Sequence, residues 1–184
     1  MRVLACLLVL TVFGCATPPP PATETNFPGA LIRNGRFAVK TESANRSPEA
    51  VQGGFSWRDS GSQLALDLTN PFGGILARLL VHSRGATLER ANGELIQAAS
   101  SDSLMDQAVG QPIPVQGLRL WLRTQKNPPA GMRVLEKDAE GRIVAFEQDG
   151  WSVRLSNFDS LGPRLVALTR SEGGRGIWVR LVVD

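Results

Sequence analysis

Tyrosine is absent from these 184 residues, histidine occurs once and cysteine twice. The single histidine, His82, falls on the strand-like pattern Leu80-Val81-His82-Ser83, with no nucleophile motif beside it. The cysteines stand at positions 6 and 15, so nothing beyond them offers a thiol or a disulfide, and no cluster has metal-ligand spacing. Gly53-Gly54 and Gly73-Gly74 do not open helices, which removes a phosphate cradle. These absences exclude the usual catalytic sets, and the chain is read as a non-enzyme without a cofactor. Also missing is a block of one charge: 20 basic and 17 acidic residues are scattered along the chain, which points away from nucleic acid. The apolar run Val3 to Phe13 is too short to span a bilayer.

That run has a different use. Arg2 precedes it and Gly14 closes it, as in a secretory leader of residues 1–14. Val12-Phe13-Gly14-Cys15 resembles the bacterial lipobox, in which the cysteine is acylated and becomes the new N-terminus. An ordinary secretory cut nearby is the alternative. With two or more acyl chains on Cys15 the protein would stay on a membrane without a transmembrane helix. Ala16 replaces the aspartate that commonly retains lipoproteins in the inner membrane of enterobacteria, which points to the outer membrane, facing the periplasm. Residues 15–27 include Pro18, Pro19, Pro20 and Pro21 and read as an extended tether. Residues 28–184 are then one domain with a core that must stand on packing alone.

Most of that domain alternates with period two. Leu64, Leu66 and Leu68 share one face of a strand, as do Val51, Gly53, Phe55 and Trp57, then Trp151, Val153 and Leu155, then Ile177, Val179, Leu181 and Val183. Short turns such as Asp59-Ser60-Gly61, Asn92-Gly93 and Asp149-Gly150 separate them, predicting about eleven antiparallel strands. Residues 100–124 break the rhythm. Ser101 is the expected N-cap of a helix carrying Leu104, Met105, Ala108 and Val109, and Val115, Leu118, Trp121 and Leu122 mark a second. Such an insertion either plugs the core of a curved sheet or forms a lid over a cavity; periodicity does not separate the two.

Asn70-Pro71-Phe72-Gly73 suits a type I turn with Phe72 at its tip. An aromatic side chain there either folds back onto the barrel end or reaches a membrane or a partner. Leu76, Leu79 and Leu80 are expected to enlarge its apolar patch. Trp57, Trp121 and Trp151 fall on apolar phases, where they form either a packed core or the lining of a greasy pocket.

Taken in order, these pieces resemble the LolB family of outer-membrane lipoprotein receptors over nearly the whole mature sequence. Gly35-Arg36-Phe37-Ala38-Val39 is similar to the family's first strand, Phe55-Ser56-Trp57 to its second, and Leu68-Thr69-Asn70-Pro71-Phe72-Gly73 to its protruding loop. Pro112-Ile113-Pro114, Leu118 and Trp121 are similar to its lid, and Gln148-Asp149-Gly150-Trp151 to a later hairpin; Arg123 stands where a glycine is expected. The resemblance implies an unclosed antiparallel β-barrel with a short helical lid over an apolar cavity. The expected lining is Phe37, Phe55, Trp57, Leu64, Leu66, Leu68, Leu118, Trp121 and Trp151. It implies a monomeric receptor that takes acylated lipoproteins from the periplasmic carrier LolA and inserts them into outer-membrane lipid without ATP. Insertion is promoted by the loop Asn70, Pro71, Phe72 and Gly73, with Phe72 as the protruding residue. The competing class is a structural or assembly lipoprotein whose β domain has a solid core and binds protein partners. A secreted hydrolase is disfavoured by the missing nucleophile and base.

Overall fold

The computed structural model describes residues 27–44, 46–109, 113–123 and 127–184. Leader residues 1–14, Cys15, the tether up to residue 26 and Pro112 lie outside the described residues. Eleven strands and two helices follow in the order β1 (Leu31–Ser43), β2 (Arg46–Asp59), β3 (Leu64–Thr69), β4 (Ile75–His82), β5 (Gly85–Arg90), β6 (Leu95–Ala98), α1 (Ser101–Val109), α2 (Val115–Trp121), β7 (Arg133–Lys137), β8 (Ile143–Gln148), β9 (Trp151–Phe158), β10 (Pro163–Glu172) and β11 (Arg175–Val183).

The strands make one antiparallel sheet in the order β6-β5-β4-β3-β2-β1-β11-β10-β9-β8-β7. Chain neighbours pair as hairpins, and β1 against β11 joins the two halves, with Phe37 opposite Leu181 and Val39 opposite Val179. β6 and β7 remain as unpaired edges, so the barrel is half open. The sequence between these edges carries both helices, which form its lid.

Alternation decides the faces. In β1, Leu31, Arg33 and Phe37 point inward and are buried, while Ile32, Asn34, Arg36 and Ala38 face water. β9 and β11 repeat this with Trp151, Val153 and Leu155, and with Ile177, Val179, Leu181 and Val183. Those inner faces merge with Leu104 and Met105 of α1 and Val115, Leu118 and Trp121 of α2 into one core.

The first helix starts one residue earlier than expected. Ser100, not Ser101, is its cap: Ser100 Oγ accepts from the Ser103 N–H at 3.1 Å, and the Ser100 carbonyl accepts from Leu104 N–H at 3.0 Å. Ser101 is buried instead, where its hydroxyl accepts a hydrogen bond from Gln116 Nε2 at 3.0 Å. Asp102 Oδ1 also takes the Gln116 backbone N–H at 3.1 Å, so the two helices are tied together at their starts.

Candidate functional site

The turn between β3 and β4 is built by Asn70. Its carbonyl accepts from Gly73 N–H at 3.0 Å, its N–H donates to the Gly74 carbonyl at 2.8 Å, and its side-chain Oδ1 accepts from Phe72 N–H at 2.9 Å and Gly74 N–H at 3.0 Å. Gly73 holds φ at +87°, a left-handed conformation that a side chain resists. With its backbone satisfied locally, the turn holds its shape without packing against the barrel. Phe72 stands at its tip 97% exposed, rather than folded back.

The neighbours of Phe72 differ from expectation. Ile75, 43% exposed, and Pro71 flank it on the surface. Leu79 is turned into the core, Leu76 is half-buried, and Leu80 surfaces near the other end of β4. Leu79 pairs with Leu66 in the regular part of the ladder and shares its inward face, while a register shift between Leu68 and Thr69 pairs Thr69 with Ile75 at the loop end. Close approach at Gly53 holds the loop's root: a Cβ there would lie 1.8 Å from the Thr69 carbonyl oxygen. A groove of about 410 Å³ runs along this root, lined by Arg36, Phe37, Gln52, Gly53, Gly54, Thr69, Asn70, Pro71 and Gly73.

The inner face of the sheet forms the second region. Phe37, Phe55, Trp57, Leu64, Leu66, Leu118, Trp121 and Trp151 are all buried there, and Leu68, nearest the loop, is half-buried. Trp121 meets Phe146 edge-on, with centroids 5.4 Å apart, and its Nε1–H donates to Gln148 Oε1 at 3.1 Å. Trp57 Nε1 is buried without a partner.

Two charged residues enter this apolar setting where strand alternation alone did not flag them. Asp59 closes β2 and is buried beneath α2, accepting from Arg119 Nη2 at 2.6 Å and Nε at 3.2 Å and from Gly61 N–H at 2.8 Å. Burial raises its pKa, but the Arg119 hydrogen bonds, the Gly61 N–H and the charges of Arg119 and Arg123 prevail and hold it below the ordinary carboxylate value. Arg33, buried in β1, is matched by Asp159, whose oxygens lie 3.0 and 2.7 Å from Nη1. Both residues sit on the inward phase of their strands, and that polar interruption was the available signal. Arg123, at the exit of the lid, reaches the Asp59 carbonyl at 3.4 Å.

An apolar inner face under two short helices and an exposed aromatic on a pinned turn invite comparison with known proteins. The sequence pattern described as "Outer membrane lipoprotein LolB" matches residues 32–184. The chain belongs to the LolB family. The outer-membrane lipoprotein LolB of Bordetella petrii is 46% identical over 181 residues, covering 98% of this chain and 90% of that protein. The LolB of Cupriavidus necator is 36% identical over 180 residues, covering 95% and 90%. Among solved structures, a LolA superfamily protein of Nitrosomonas europaea covers 83% of this chain and 86% of its own at TM-score 0.42 and 10% identity. The family match begins inside β1 and includes the Phe72 turn and both helices, so both regions described above lie within the LolB-matched segment. As a member of this family the chain is an outer-membrane lipoprotein.

Proposed function

We propose that this chain receives acylated lipoproteins on the apolar inner face of its half-open barrel and delivers them into the outer membrane. It is held there by lipid on Cys15 after removal of residues 1–14, with residues 15–27 as tether and 28–184 as the working domain. The carrier that supplies the cargo is LolA, and the transfer needs no ATP.

Energetics supports the need for such a receptor. Each buried methylene is worth about 0.8 kcal/mol, so an acyl chain of about fourteen costs roughly 11 kcal/mol to expose. A chain can cross water only by passing between apolar sites, each binding at least as well as the last, until the bilayer takes it. Tethering raises the receptor's concentration at that bilayer. Inside the barrel, Leu118 and Trp121 of α2 occupy the inner face that the cargo would need. Acyl chains would take their place as the lid lifts, exchanging one apolar contact for another, so little net free energy is lost.

The observation that carries this reading is Phe72: 97% exposed on a turn that satisfies its own hydrogen bonds. Packing within the domain does not account for so large an apolar group there. Burying it in lipid contributes roughly 1.5–3 kcal/mol. Phe72→Glu removes that gain and brings a charge to the membrane. Melting temperature should hold, acceptance of a lipoprotein from LolA should persist, and release into liposomes should slow. A stable Phe72→Glu protein that still inserts at the parent rate would exclude Phe72 from delivery. Fluorescent fatty acid binding separates this reading from a solid-core assembly lipoprotein, which would take up none.

A further inference from the structure

Among the described residues Arg36 has no counter-ion. It lies on the outer face of β1, exposed, with no hydrogen bond or ion pair to any described residue, although most arginines of this sheet are paired, such as Arg58 and Arg78 on Asp67. Its cross-strand neighbour in β2 is Gly54, so no side chain screens it from that side. It opens onto the groove at the root of the Asn70–Gly74 turn, where Gln52, Thr69 and Asn70 add polar side chains and no carboxylate contributes. Asn70 uses Oδ1 to hold the turn, and no described residue takes its amide hydrogens.

The geometry points to a lipid phosphate as the occupant: we propose that Arg36 and this groove seat the phosphate of a membrane lipid while Phe72 enters the acyl layer beside it. The inference rests on the reading of Phe72 as the membrane-entering residue. Charge complementarity and depth both favour it. An unpaired guanidinium binds phosphate through paired donors, and a site free of carboxylates does not repel it. Headgroups occupy about 5–7 Å on each side of the hydrocarbon core. Two residues of chain, at most about 7 Å, separate Asn70 in the groove from Phe72 at the tip. An aromatic group at the acyl boundary therefore places Arg36 at the level of the phosphates. The seat would orient the open barrel on the bilayer, which a single inserted side chain does not do.

The test uses the unacylated mature chain, residues 15–184 with Cys15→Ser, sedimented with phosphatidylcholine vesicles with and without phosphatidylglycerol. One arginine at an anionic surface is worth about fivefold in binding. Arg36→Gln should lose about that factor on the phosphatidylglycerol vesicles, Arg36→Lys should recover only part of it because an ammonium lacks the paired donors, and high salt should erase the difference. Arg84→Gln, the same charge change in the turn at the opposite end of β4, should bind like the parent. Melting temperatures of all variants should match, since Arg36 has no partner among the described residues to lose. Equal losses from Arg36→Gln and Arg84→Gln would reduce the effect to net charge and overturn the seat. Loss of binding in Phe72→Glu with none in Arg36→Gln would also overturn the seat, leaving the Phe72 reading intact. Parent-like binding by Phe72→Glu would overturn both.

Discussion

Arg119 in α2 grips Asp59 at the end of β2 with two hydrogen bonds, and its Nη2 also donates to the Gly61 carbonyl at 2.5 Å. This pair connects the lid to the barrel through charge, whereas Leu118 and Trp121 connect it through apolar contact. On the proposed reading an acyl chain would take over the apolar contact and leave the ion pair as the lid's remaining attachment.

Removing Arg119 leaves Asp59 with only the Gly61 N–H and Arg123, 3.6 Å away, which keeps the cost near the lower end of the roughly 3–5 kcal/mol of breaking a buried pair. Arg119→Ala should therefore lower the melting temperature by about 10 °C in a domain of this size. The variant should also take up a fluorescent fatty acid faster, because α2 loses its charged attachment. Stopped-flow uptake measured below both melting temperatures checks the second effect separately from the first.

Acid should weaken the same attachment. Asp59 and Asp159 both have folded pKa values below the ordinary 3.8; burial opposes this in each, and hydrogen bonds from Arg119 and Arg33 lead the causes that override it. A depressed carboxylate contributes its full stability above the unfolded value and loses it as pH falls through the lower folded value. Melting temperature should therefore be insensitive to these groups above pH ~5 and drop below pH ~4. Asp59→Asn should melt lower than the parent at neutral pH and show a shallower acid drop. A parallel drop in both proteins would show that Asp59 does not carry it.

Gly53 tests whether the Phe72 turn depends on its root. Adding a Cβ 1.8 Å from the Thr69 carbonyl forces β2 and the end of β3 apart. Overpacking of this kind costs about 1–3 kcal/mol. Gly53→Ala should lose that much stability by denaturant titration and should slow liposome delivery, although Phe72 itself is unchanged. Normal delivery from a destabilised Gly53→Ala protein would show that the turn works independently of its seating.

The anchor is tested by Cys15→Ala. Among the described residues no helix is long and apolar enough to cross a membrane. The variant should fold, as judged by circular dichroism, yet leave the membrane fraction in a salt wash. Retention after the wash would mean that something other than lipid on Cys15 holds the protein.

Period-two patterning by itself determined the strand count, the inward faces and the helical interruption between two runs of strands, because a half-buried sheet writes its exposure directly into alternate residues. Trp57, Trp121 and Trp151 were legible as interior for the same reason. Local chemistry was legible only to the nearest residue: Ser100 and Ser101 are equivalent as caps in sequence, and the choice fell to Ser100 because Ser101 turns inward to meet Gln116. What tertiary structure alone decided were relationships across the chain. The pairing of β1 with β11 requires the last strand to return to the first, and no turn encodes it. Asp59 reads as a turn residue until α2, some 60 positions later, covers it with Arg119. Phe72 was suspect from its place in an Asn-Pro-Phe-Gly turn, but whether it folds back depends on where the barrel end lies. Leu79, opposite Leu66, goes into the core, and the turn pinned by Asn70 leaves Phe72 in the open. Alternation is a local property of the backbone, whereas burial of a charge or exposure of an aromatic is set by which distant segment arrives to cover it.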